Sequence, residues 1–223
     1  MTDNGFLRPG TFVDSDSPTI VAFARTATSE AQDQTDAVLR LYKTVRDAIR
    51  YDPYVDCSLP TTFRASAVVA AGRGFCVGKA SVFAACARAL GVPARLGFAD
   101  VRNHLTSPRL RELMQTDVFR WHAFTELYLA GKWVKATPAF NASLCDRVGL
   151  PPLDFDGQTD SLFHAFDRAG RRHMEYVHDR GRFADVPFDR ISADFREHYP
   201  RFMSARHRDG DFANEVTSGD DAG

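Results

Sequence analysis

Residues 72–95, GRGFCVGKASVFAACARALGVPAR, constrain the fold more than any other part of the chain. Gly72 and Gly74 allow a tight turn, and Cys76 then opens an alanine-rich segment with no proline and no glycine beyond Gly78. This predicts a helix over 76–90. Its stop signal is Leu90-Gly91-Val92-Pro93, glycine for a left-handed cap and proline just beyond it. A cysteine at a helix start meets unpaired backbone N–H groups and the positive end of the helix dipole, which favour a thiolate. The same N–H groups can donate to an oxyanion on a bound carbonyl. Cys86, in the helix interior, reads as a small core residue. Cys76 by its position reads as a nucleophile.

The rest of the chain supplies a frame for that helix. A short helix is expected from Pro18. Residues 35–50 carry a helical stripe of Val38, Leu41, Tyr42, Val45, Ala48 and Ile49, ended by Asp52-Pro53. ASAVVAAG is a short apolar turn, 94–101 a strand, and 102–118 a polar loop. Strands over 121–129 and 132–137 form a hairpin about Ala130-Gly131. Beyond Pro138 regularity fades, with one helix expected near 191–198. Helices first and an antiparallel sheet after make an α+β fold. A single domain is expected over 1–203, its core at 35–140, with a polar, disordered tail over 204–223. The Phe-, Asp- and Gly-rich stretch 151–190 reads as closing the back of the core, with a lid over the cleft as the alternative.

His122 is the candidate base. It stands early in a strand, on one face with Phe124, Glu126 and Tyr128 by the two-residue period. Alone it would be a half-buried strand histidine. Facing a helix-start cysteine it can take the thiol proton, and the two could rest as a thiolate–imidazolium pair.

These blocks resemble transglutaminase-like domains. Gly74-Phe75-Cys76 opening a helix that ends in RALGVPAR is similar to their G-x-C helix and its terminal turn. VRDAIRY (45–51) resembles their V-x-x-x-I-x-Y helix end, and WHAFTELY (121–128) their H-A-W-x-E-V-Y strand. The resemblance spans about residues 35–140 in the family order. It implies a papain-like core with the nucleophile on a helix N-terminus packed against an antiparallel sheet, and His122 as base. Such domains include peptidases, amidases, cross-linkers and inactive members. The chain departs from the pattern at the third member. The family's Asp, four residues after the strand tryptophan, is replaced here by Thr137. With Leu129 paired to Lys132, His122 would lie opposite Ala139, leaving Thr137 and Asn141 on its face, one diagonal step to either side. Either could hold the imidazole, Asn141 giving a Cys–His–Asn set. A one-residue slip would remove both from that face.

Other functions are set aside. With 28 Lys+Arg against 29 Asp+Glu, the net charge of −1 selects neither nucleic acid nor an anionic membrane. No apolar run reaches the length of a membrane span, and the first residues are no secretory signal. Four cysteines in a chain of this length make no disulfide framework, so a reducing cytoplasm is expected. His173 and His178, five apart, share no helix face, so no metal is expected, and no cofactor. Arg168, Arg171, Arg172, Arg180 and Arg182, among five aspartates, read as a solvated ion-paired surface. The expected function is a thiol-dependent hydrolase or acyltransferase acting on a peptide, protein or small amide or ester through a thioester. The alternative is a non-catalytic peptide-binding module on the same fold.

Overall fold

The computed structural model describes residues 4–104, 106–205 and 210–217. The expected helix is its centre: α4, Cys76–Ala89, is buried on every side, from Val77 to Arg88. Three helices surround it: α1 (Pro18–Ala27), α2 (Gln34–Ala48) and α3 (Ala65–Ala71). The apolar turn ASAVVAAG is thus a true helix, closed by Gly72 in the left-handed conformation (φ 62°). Gly78 lets α4 approach its neighbours, since a Cβ there would lie 2.9 Å from the Thr62 carbonyl oxygen.

A four-stranded antiparallel sheet covers the remaining face. Its order is β5 (Lys132–Ala136), β4 (Val118–Leu129), β3 (Ala94–Asn103) and β6 (Met174–Phe183). The hairpin forms in the expected register, Leu129 opposite Lys132, with Ala130 and Gly131 both at positive φ, as its two-residue turn requires. Thr125 donates from Oγ1 to the Ala80 carbonyl (2.9 Å), fixing β4 against α4. At the far end of α4 the buried Arg88 donates to the Ala94 carbonyl (2.9 and 2.7 Å) and to the Arg8 carbonyl (2.8 Å). The RALGVPAR turn therefore splices helix to strand.

A second, two-stranded parallel sheet joins β1 (Arg50–Tyr51) to β2 (Arg73–Gly74), directly before Cys76. Asp52, 3% exposed, anchors it by an ion pair to Arg73 (3.1 Å). The glycine turn is thereby fixed to the end of α2.

Three expectations are corrected. The polar loop 102–118 carries a helix, α5 (Pro108–Met114), capped by the Ser107 side chain. The irregular region after Pro138 contains α6 (Ala142–Arg147) and the edge strand β6, besides α7 (Phe188–His198) and α8 (Pro200–Ser204). β6 has no clean alternation because two register shifts interrupt its pairing with β3. Within the expected disordered tail, α9 (Phe212–Thr217) packs Phe212 against Tyr51 and Tyr54 (ring centroids 5.7 and 6.4 Å). Residues 206–209 and 218–223 of that tail lie outside the described residues.

Candidate active site

Cys76 is the first residue of α4, with Phe75 at the N-cap. The backbone N–H groups of Ala123, in the peptide following His122, and of Val77 and Cys76 itself favour the Cys76 thiolate. Cys76 and His122 line one cavity of about 60 Å³. The structure therefore brings the two to the same place.

Their electrostatics differ from the expected thiolate–imidazolium pair. Burial pushes the Cys76 thiol up to about 11, a larger effect than the three N–H groups that favour the thiolate. Burial alone pushes His122 down to about 3. Both groups rest neutral, and the helix-start argument fixes the position of Cys76 but not its charge.

A bulge aims His122. Trp121 has φ 59°, a left-handed conformation rare for a bulky residue, and the β3–β4 register shifts between Ala99 and Val101. Asp100, opposite the bulge and 5% exposed, accepts the Trp121 backbone N–H (3.1 Å). Arg180 from β6 binds both Asp100 oxygens (2.6 and 2.9 Å) and Asp194 of α7 (2.7 Å), and lies 4.7 Å over the Trp121 ring. Asp194 accepts the Trp121 indole N–H (2.8 Å). This closed circuit holds the strained residue that sets where His122 points. Sequence reading missed it and counted Arg180 as surface. The signal was Asp100, a carboxylate within an apolar strand, which needs a buried cation.

The third position is unfilled by a carboxylate. The β4–β5 ladder ends at Thr125–Ala136, so Ala139 is not paired with His122 and the expected diagonal geometry does not form. Asn141 works elsewhere: its Oδ1 accepts the Tyr51 N–H (2.7 Å), and its Nδ2 donates to the carbonyls of Arg46 (2.6 Å) and Ile49 (3.0 Å). With the buried Lys79 ammonium on the same two carbonyls, it satisfies the C-terminal end of α2. Thr137 is buried with its hydroxyl toward Tyr176, and the His122 Nε2 has no hydrogen-bond partner among the described residues. The His122 ring is instead packed by Phe163 (4.8 Å) and Tyr176 (6.2 Å). Stretch 151–190 thus serves two ends, since Phe155 packs on Tyr42 in the core (5.4 Å) while Phe163 covers His122.

Among the described residues no group of three or more His, Cys, Asp or Glu side chains could hold a metal ion, and no helix is long and apolar enough to cross a membrane. The four cysteines are free thiols.

The profile of the transglutaminase-like superfamily matches residues 21–138, more than half of the chain. No curated protein matches. Among solved structures, a Cytophaga hutchinsonii protein carrying the provisional name cysteine protease aligns with 80% of this chain at 18% identity and a TM-score of 0.45. The chain spans about half of that protein, 53% of its length.

Proposed function

The chain belongs to the transglutaminase-like superfamily, and from that premise we propose that it is a thiol-dependent hydrolase or acyltransferase of amide or ester carbonyls. One observation carries this reading: Cys76 opens α4 and shares the lining of one cavity with His122. In the proposed reaction the Cys76 sulfur attacks the carbonyl carbon while the neutral His122 takes the thiol proton. No ion pair is needed beforehand, because proton transfer accompanies attack. The oxyanion forms beside the N–H groups at the start of α4. The C–N or C–O bond then breaks, His122 returns the proton to the leaving group, and a thioester remains on Cys76. Water activated by the same imidazole releases the acid, or an amine takes the acyl group. Hydrolysis is the outcome we favour.

A second reading has its own support. His122 Nε2 lacks a partner among the described residues, Thr137 stands where the family has Asp, and both Cys76 and His122 rest neutral. These features suit a module that holds a peptide without cleaving it. The two readings are separated by incubating the protein with activated esters and amides and weighing it intact. An acyl adduct on Cys76, absent in Cys76→Ala and slowed in His122→Ala, supports the enzyme. Binding with no adduct supports the module.

A further inference from the structure

The cavity beside Cys76 has a chemistry of its own. Away from the thiol and the imidazole its walls include Leu110 and Met114 of α5, Phe119 of β4, Met174 of β6, Phe195 of α7 and Phe202 of α8. The last three lie beyond residues 21–138, so the C-terminal part of the chain builds half of this wall. Among the described residues on the cavity the one charged side chain is Arg120, and its guanidinium is 3.8 Å from the buried Asp100. Arg120 joins Arg180, Asp100 and Asp194 in a group of two cations and two carboxylates, so an entering carboxylate would lose its water and meet no net positive charge.

Size narrows the occupant further. A water needs roughly 10–15 Å³ of such space, so about 60 Å³ holds four or five atoms in a row. A benzene ring takes a dry cavity of about 150 Å³. We propose that this cavity is the acyl pocket and selects uncharged aliphatic acyl groups of about four or five carbons, on the carbonyl that Cys76 attacks. The inference rests on the proposed nucleophile. Chemically, the thiol S–H and the acyl C–O bond of an ester break, an S–C bond forms, and the alcohol leaves with the proton carried by His122. Hydrolysis of the thioester then yields the short-chain acid and restores the thiol.

The test uses the full chain and p-nitrophenyl esters of acetate, butanoate, pentanoate, octanoate, benzoate and glutarate, with the Cys76→Ala rate subtracted. Each buried methylene strengthens binding about fourfold, so pentanoyl should exceed acetyl by about 60-fold in kcat/KM. Octanoyl, benzoyl and glutaryl should fall below pentanoyl. Met114→Trp, which fills the cavity, should bring the pentanoyl-to-acetyl ratio near one. Phe195→Leu, which enlarges it, should shift the optimum toward octanoyl, so a misfolded Met114→Trp leaves the pocket testable. Cys76-dependent acylation without chain-length preference, or with glutaryl fastest, overturns the pocket while sparing the nucleophile. If no ester acylates Cys76, the nucleophile fails, and the pocket is judged by whether pentanamide slows iodoacetamide alkylation of Cys76 at pH 9 more than acetamide. Equal slowing would overturn it.

Discussion

Three backbone N–H groups favour the Cys76 thiolate, yet burial outweighs them and keeps the proton in place, with the thiol near 11 and His122 near 3. The consequence is visible in pH dependence. Below pH 11 the thiolate fraction falls about tenfold per unit, so alkylation of Cys76 by iodoacetamide should keep rising from pH 7 to pH 10. A plateau below pH 8 would mean a preformed ion pair and contradict the neutral resting state. His122 also affects stability. Its folded value lies below the ordinary 6.5, so below pH 6.5 the unfolded chain binds more protons. The fold should therefore lose stability as pH falls from about 6.5 toward 3, with a shallower loss in His122→Leu measured by urea titration at each pH. Thr137 offers the complementary change. Thr137→Asp places a carboxylate at the family's position, which should raise the imidazole pKa and increase ester turnover about tenfold or more. Unchanged turnover in a folded Thr137→Asp would show that Nε2 is out of reach of position 137.

At the level of elements, the bulge in β4 and the end of α2 are the two structures on which the site depends. Breaking a buried ion pair from one side costs about 3–5 kcal/mol. Arg180→Met should therefore destabilise the protein strongly by leaving Asp100 with only Arg120 at 3.8 Å. Adding Asp100→Asn should recover part of the loss, which denaturant titration of the single and double variants would reveal. If Arg180→Met unfolds at the same denaturant concentration as the parent, the circuit does not hold the bulge. Asn141→Ala should cost about 1–3 kcal/mol, because carbonyls of Arg46 and Ile49 lose a donor. It should leave the pH profile of turnover in place, since Asn141 touches the helix end and not the base. Much of this was legible from local pattern: the glycine turn, the helix stop at Gly91 and Pro93, and the hairpin at Ala130-Gly131 are each dictated within a few residues. β6 was not, because its pairing is long-range and interrupted by register shifts, and with it went the role of Arg180. Asn141 was misread for a similar reason. Its partners lie 90 or more positions away in sequence, which no period or spacing reveals.

For the whole molecule, the family-like core of helices and hairpin provides Cys76 and His122, the proposed nucleophile and base, and the later residues close around them. Phe163 covers His122, Arg180 and Asp194 brace the bulge, and Phe195 and Phe202 wall the cavity. The α+β architecture and the Cys76–His122 juxtaposition follow from blocks in the first two thirds of the chain. The cavity proposed to select the acyl group is lined by side chains that only the folded chain gathers. The account stands on Cys76 forming a covalent acyl intermediate with His122 as its base. The direct measurement is intact mass spectrometry of the full chain during turnover of p-nitrophenyl pentanoate, quenched at short times. We predict a pentanoyl adduct that maps to Cys76, is released by hydroxylamine, is absent in Cys76→Ala and forms at least tenfold more slowly in His122→Ala. An adduct that forms equally fast in His122→Ala, or no adduct at any time point, would contradict it.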